Sequence, residues 1–427
     1  KIIILGGGLS GLAAAYFCEQ QKQDYALFEK EEKIGGLCKS HYIDGFTFDY
    51  TGHLLHFTND FAKKIVFDLL AEELTEKTRN SYIFYKKKFI PFPFQQHLGY
   101  LSENEKIQCF IDFLDSYFTK KNNYKNFEDW ALTFYGAGIA KKFMLPYNLK
   151  LYKYDLKKIT TDWFGAYMPQ LKLYEMLKSL TIQKNQYCGY NSIFYYPRQC
   201  GINQLITAVS KHLKNINCRA VVYSVNIQKK YIEVDNQKIF YDYLINTIPL
   251  PEFLKLLIPK IKNLSAALDK LEYTSVYNIN YGIETNTANK LHWLYFPENK
   301  FQFYRCGFYH NFSKNMTPYR NQHSAYIEIS YRKILQNIND LHRAIKNQFF
   351  DFGVYNKKNS KIILEFPLDI KYAYVIYNKH RKKIIEYLSD YFFKNSIISI
   401  GRYAEWNYSS MQDSIVTAYN KIINLNK

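Results

Sequence analysis

The stretch Gly6-Gly7-Gly8-Leu9-Ser10-Gly11 sets three glycines at the spacing that lets a chain hold a dinucleotide pyrophosphate. Gly6 permits the tight turn, Gly8 lets the pyrophosphate approach the backbone, and Gly11 lets a helix lie close on a strand. Ser10 lies inside the turn and belongs to the same candidate cradle. The free N–H groups of a helix starting there, with its dipole, favour negative charge. Glu29, about eighteen residues on, can accept bonds from adenosine ribose hydroxyls. Gly35, Gly36 and Leu37 form a second glycine-bearing loop. His53 and His56 have an HxxH spacing, but no third ligand accompanies them, so no metal is expected.

These residues need elements to hold them. Ile2-Ile3-Ile4-Leu5 reads as a buried parallel strand, residues 12–19 as a helix, and residues 25–29 as a second strand ending in the acid. The turn therefore has the strand-to-helix setting that gives the glycine spacing its meaning. NAD and FAD share this fingerprint. The Gly35-Gly36 pair favours FAD, because amine-oxidase-type flavoproteins close such a pair over the pyrophosphate and NAD dehydrogenases lack it. Residues 242–249 read as a strand returning to the nucleotide sheet, and residues 396–400 as the next one. That strand ends in Gly401-Arg402, where such enzymes bring the chain back to the flavin ring. Gly401 and Met411 are thus candidate cofactor contacts, and a terminal helix over about 414–424 completes the wrap.

No repeats or linkers interrupt the chain, so further domains must be excursions out of the nucleotide sheet. The expected class is α/β: a Rossmann-type FAD-binding domain with a helical excursion and an antiparallel-sheet substrate domain. Residues 1–60, 187–257 and 392–427 make the discontinuous FAD-binding domain. Residues 61–186, with helical periodicity over 61–74 and 106–118 and few strand signals, make a mostly helical substrate domain. Residues 258–391 make an antiparallel sheet through alternating runs such as 275–283 and 324–331.

A chain of 427 residues, 47% hydrophobic and 22% charged, is globular and large enough for two or three packed lobes. Its +19 charge favours phosphate-bearing partners. The lysines are scattered, however, and the 41 Tyr and 32 Phe match the codon bias of an AT-rich genome, so no nucleic-acid partner is expected. Seven cysteines with no CxxC pair suit a reducing cytoplasm. The apolar stretch 2–17 is broken by glycines and reads neither as a signal sequence nor as a membrane span.

Several motifs, in this order along nearly the whole chain, resemble the UDP-galactopyranose mutase family, within the flavoproteins that include protoporphyrinogen oxidase and amine oxidases. Phe48-Asp49-Tyr50-Thr51-Gly52-His53 is similar to its FDxGGH loop, Pro91-Phe92-Pro93-Phe94-Gln95 to PYPFQ, and Pro146-Tyr147-Asn148-Leu149-Lys150-Leu151-Tyr152 to PYNxKxW. Gly189-Tyr190-Asn191 with Phe194-Tyr195-Tyr196-Pro197 resembles GxN...FxFP. Two later segments, 292–298 with Phe303-Tyr304-Arg305 and 401–408, are more specific. The resemblance implies a mutase that interconverts pyranose and furanose rings of a nucleotide sugar, in cell-surface polysaccharide synthesis. Reduced FAD would act through N5 on the anomeric carbon, with no net redox change once a separate reductant has reduced the flavin. It further implies that Arg305 and Arg402 grip the diphosphate with Tyr295, Tyr374, Tyr408 and Asn191, since guanidinium binds phosphate oxygens bidentately. Phe94, Gln95 and Asn148 would hold the uracil, and Gly52 and His53 would lie against the flavin.

Thr51, Phe92, Tyr152 and Tyr167 depart from the family's usual Gly, Tyr, Trp and Arg, and bear on the identity of the substrate. The main alternative is an FAD-dependent oxidoreductase of the protoporphyrinogen oxidase or amine oxidase type. Both arginines speak against it, because a neutral substrate gives two buried cations nothing to pair with. A flavin-binding regulatory protein is a third reading.

Overall fold

The computed structural model describes residues 1–119, 124–163, 171–182, 192–261 and 267–425. Ile2–Leu5 forms the centre of a five-stranded parallel sheet, flanked by Tyr25–Phe28 and Ile216–Asn217 on one side and by Tyr243–Asn246 and Ile397–Ser399 on the other. The two strands expected to return to the nucleotide sheet are both in it. Parallel strands covered on both faces read as continuous apolar runs, as Ile-Ile-Ile-Leu does.

The helix Leu9–Gln20 follows the glycine turn and packs against the terminal helix Met411–Ile423. Its run Ala13-Ala14-Ala15 is buried and lets neighbours approach closely. The terminal helix starts at Met411, earlier than the periodicity suggests, because Ser410 and Asp413 form a reciprocal cap.

The second large sheet has seven strands in the order Ser360–Val375, Tyr273–Thr285, Gln322–Tyr331, Arg305–Phe308, Trp293–Tyr295, Ser81–Tyr85, Lys88–Pro91. It is antiparallel except where Trp293–Tyr295 runs parallel to Ser81–Tyr85. Among the described residues of 61–186 helices dominate, and the strands Leu74–Thr78, Ser81–Tyr85 and Lys88–Pro91 also lie there. The strand signals in this stretch are few for a local reason. The hairpin turns at Lys86 and Lys87, with φ of 47° and 63°, a geometry normally signalled by Asn-Gly. Two lysines carry no such signal. Among the described residues, no helix is long and apolar enough to cross a membrane.

Candidate active site

The glycine turn is shaped by what its glycines exclude. A Cβ on Gly11 would lie 2.0 Å from the Gly6 oxygen, and one on Gly6, at φ +99°, would lie 2.7 Å from Thr247 Oγ1. At Gly8 the nearest atom would be Gly36 Cα, 3.9 Å away, so the space in front of Gly8 is open. Gly8 pairs across a bridge with Gly35, which brings the second glycine loop over the first. Glu29 is buried, and its carboxylate accepts the Gly7 N–H at 2.6 Å and the Glu31 N–H at 2.8 Å. Gly401 touches Ser10, since a Cβ there would fall 2.1 Å from Ser10 Oγ. Leu37 lies in the turn Gly36–Cys38, and the Cys38 Sγ–H donates to Met411 Sδ at 3.7 Å. The open cradle and a carboxylate at the strand end fit a dinucleotide.

A cluster of arginines and tyrosines lies beyond the turn. Its first part lies on one face of the seven-stranded sheet, where register places Asn278 opposite Glu328, Glu328 opposite Arg305, and Arg305 opposite Tyr295. Directly opposed residues share a face. Arg305 donates through Nε and Nη2 to both oxygens of Glu328, the Nη2 contact being 2.6 Å, and Glu328 is fully buried. This corrects the expectation that both arginines lack a partner: Arg305 already has a carboxylate. The alternation of 324–331 puts Glu328 on the same face as Tyr326, but the sequence does not disclose that Arg305 stands beside it.

Arg402 is held differently. Nη1 donates to the Ser409 oxygen at 3.3 Å and Nη2 to the Ala373 oxygen at 3.2 Å, while its buried Nε finds no acceptor. Tyr374, Tyr403 and Tyr408 surround it, with ring centroids 5.7, 5.7 and 4.6 Å from the guanidinium carbon. Among the described residues no carboxylate pairs with it. Tyr304 and Tyr374 approach through their hydroxyls at 3.4 Å, which joins the two arginine neighbourhoods. Burial raises the Tyr295 hydroxyl and raises that of Tyr374 to about 12, so both stay protonated donors.

His53 lies close enough to both arginines to feel their charge. Burial pushes its imidazole down to about 4, with the Arg305 and Arg402 charges adding to the effect, and its Nδ1 is buried without a partner. Gly52 lies against Tyr326, whose hydroxyl would be 2.3 Å from an added Cβ. Thr51 has φ +65°, a strained conformation for a β-branched residue. His56 also has its protonation disfavoured by burial, partly offset by Asp413.

The base-binding candidates lie in the turn Phe94–Gln96 and on the helix Leu145–Tyr152. Phe94 is fully buried and stacks on Phe143, which in turn stacks on Tyr147, at 5.5 and 5.3 Å. Gln95 is buried, and Asn148 donates to the Met144 oxygen, in the turn just before its helix Leu145–Tyr152, at 2.7 Å. The rings that keep accessible surface beside Tyr295 are Phe92, 4.8 Å away, and Tyr147, 5.4 Å away. Sequence reasoning missed Tyr147 and also Arg79, which packs on Phe92 at 4.8 Å and whose charge reaches Tyr295. Tyr152 is buried, edge-on to Tyr374. Asn191 and Tyr167 lie outside the described residues.

The chain superposes on the crystal structure of reduced UDP-galactopyranose mutase with a TM-score of 0.93, over 100% of this chain and 95% of that one, at 24% identity. The fold is that of UDP-galactopyranose mutase. A putative protoporphyrinogen oxidase from Exiguobacterium sp. 255-15 shares the mutase fold more distantly, with a TM-score of 0.78 at 16% identity, covering 100% and 99% of the two chains. Residues 4–72 match the NAD(P)-binding Rossmann-like domain. An uncharacterized protein in the nifH2 3' region of Methanothermococcus thermolithotrophicus is 45% identical over 60 residues, 14% of this chain and 58% of that protein. Coproporphyrinogen III oxidase of Staphylococcus aureus is 35% identical over 100 residues, 22% of this chain and 21% of the oxidase. The chain spans less than two thirds of the length of either relative.

Proposed function

We propose that this protein is an FAD-dependent nucleotide-sugar mutase, converting pyranose and furanose rings without net redox change. The observation that supports the reading is the proximity of His53, Tyr295, Arg305, Tyr374, Arg402 and Tyr408 to one another, with Gly52 beside Tyr326 and Gly401 against Ser10 of the dinucleotide turn. Gly6, Gly8, Ser10, Gly11, Glu29, Gly35, Gly36, Leu37, Gly401 and Met411 would hold the FAD. Bound there, reduced FAD would supply nucleophilic chemistry at the sugar's anomeric carbon.

The chain's own groups do the rest. Arg402, with no carboxylate partner among the described residues, is a cation left for the substrate diphosphate. Arg305, fixed by Glu328, presents the remaining edge of its fork at a set angle. Tyr295, Tyr374 and Tyr408 offer hydroxyl donors to the same oxygens, and Tyr147 and Phe92 offer ring faces to the base. His53, neutral at pH 7, adds no third charge beside the flavin.

A second reading, an FAD-dependent oxidoreductase, gains support from the Arg305–Glu328 pair, which leaves only Arg402 to be balanced. The two readings part in one experiment. Dithionite-reduced protein is incubated with UDP-, dTDP- and GDP-sugars and the products are chromatographed. Ring-isomerised nucleotide sugar formed by reduced protein alone, with no stoichiometric use of reductant, supports the mutase. Equal turnover by oxidised protein, or one-for-one consumption of oxygen or nicotinamide, means an ordinary oxidation.

A further inference from the structure

Lys150 lies one helical turn beyond Tyr147 on the helix Leu145–Tyr152, and only 6% of it is exposed. Its Nζ donates to three main-chain carbonyls, those of Phe296 at 2.7 Å, Glu298 at 2.6 Å and Phe303 at 3.3 Å. An ammonium has three donors and no acceptor, so these carbonyls use its whole capacity. All three belong to the connection between Trp293–Tyr295 and Arg305–Phe308. Tyr295 immediately precedes the first of them, and Arg305 follows the last by two residues. The helix reaches the same hairpin through Tyr147, whose ring lies 5.4 Å from Tyr295 and 6.2 Å from Tyr304.

We propose that Lys150 is a positioning residue, whose ammonium ties the 296–304 connection to the helix and so sets where Tyr295 and Arg305 stand relative to Tyr147. A buried ammonium is retained only where hydrogen bonds replace its hydration. No carboxylate supplies them here. The Glu298 carboxylate turns instead to Lys300, at 3.2 Å, and to the Lys86 N–H, at 3.0 Å. The charges facing Lys150 are Lys153, just past the end of its helix, and Glu298 on the hairpin; burial, with Lys153 adding to it, outweighs Glu298 and pulls the ammonium down to about 7. Losing that proton removes one of the three bonds, so the tie loosens as pH rises through this value. Stability moves the other way: the unfolded lysine holds its proton to about 10.5, so the cost of the buried charge is full below about 7, shrinks as pH rises from there, and is gone only above about 10.5.

The effect on substrate rests on the mutase reading; the tie itself does not. The test compares Lys150→Met and Lys150→Arg with the parent, all as flavin-loaded full-length protein, by hydrogen exchange and by calorimetry with UDP-galactose at pH 6 and pH 8.5. UDP-galactose is a useful probe because its diphosphate has no proton to lose between these values. In Lys150→Met, exchange over residues 293–308 should rise about tenfold while residues 2–28 and the flavin content stay unchanged. UDP-galactose affinity should fall about tenfold. The parent should lose affinity between pH 6 and 8.5, and Lys150→Met should lack that dependence. Lys150→Arg should recover little, since a planar fork cannot aim three donors at carbonyls that converge on one nitrogen. Parent-like exchange over 293–308 in Lys150→Met overturns the proposal, and the arginine variant decides on the same comparison if the methionine variant does not fold. If the parent itself fails to bind UDP-galactose, the mutase reading falls, and the exchange result still decides the role of Lys150.

Discussion

The glycine turn draws its groups from one stretch of chain between Gly6 and Glu29, whereas the arginine cluster gathers Gly52, Tyr147, Tyr295, Arg305, Tyr374 and Arg402 from separate elements. The turn works through backbone N–H groups and missing side chains, so its only local requirement is that no Cβ intrude. The cluster works through charged side chains taken out of water, and each charge must be held by something nearby. Its two arginines solve this in opposite ways. Arg305 is satisfied by a buried carboxylate before any ligand arrives; Arg402 is held by two carbonyls among tyrosine rings, leaves its Nε without an acceptor, and keeps its charge for a ligand.

The largest effect is expected at the turn. Gly8 has φ −73° and open space ahead of it, so a side chain strains nothing in the folded chain but fills the path of the pyrophosphate. Gly8→Val should lose flavin entirely, and Gly8→Ala should leave the flavin-free protein within about 0.5 kcal/mol of the parent. Absorbance after reconstitution with excess FAD reads the first, urea unfolding the second. Full flavin occupancy in Gly8→Val would remove the turn from the cofactor site.

The next effect separates the arginines. Arg305→Ala strands the fully buried Glu328 carboxylate and should destabilise the protein by about 3–5 kcal/mol. Arg402→Ala strands no carboxylate; its cost should appear in nucleoside-diphosphate binding, about 1.5–3 kcal/mol or roughly ten- to a hundredfold, with flavin content unchanged. Arg402→Lys should restore part of that affinity, because it keeps the charge and loses the fork. Denaturation and calorimetry on both variants would show the contrast, and equal stability losses with unaltered diphosphate affinity would erase it.

A smaller effect concerns pH. Below its ordinary value of 6.5 the unfolded His53 takes up a proton that the folded one refuses until about 4. Stability contributed by this group is therefore present above 6.5 and falls as pH drops from there toward 4. His53→Gln should flatten that slope in denaturation curves between pH 4 and 7; an unchanged slope would mean another group produces it.

The smallest effect is expected at Thr51. Its φ of +65° suits glycine, so Thr51→Gly should relieve strain and gain up to about 1 kcal/mol, against the extra entropy of an unfolded glycine. A loss of stability in urea titration would show that the threonine side chain earns its place through contacts that outweigh the strain.

Much of the fold could be read because its signals are local. The apolar run Ile2–Leu5, the glycine turn and the alternation of Gln322–Tyr331 each report their own backbone state within a few residues. The hairpin over Ser81–Pro91 escaped because its turn uses two lysines at positive φ. The motif positions of Arg305 and Arg402 pointed to the residues that meet in the cluster, but not to how each is held.

By itself the sequence determined the strand, turn and helix around Gly6 to Glu29, because the φ of a glycine and the period of a strand depend on the residue and its near neighbours. Only the tertiary structure decided that Arg305 faces Glu328, that Phe94 is sealed beneath Phe143 while Tyr147 keeps accessible surface, and that Lys150 reaches the carbonyls of a hairpin about 150 residues away. Alternation along a strand tells which face a side chain takes. Which residue stands beside it on that face depends on which strand pairs there and in what register, and that is settled by contacts between segments far apart in the chain.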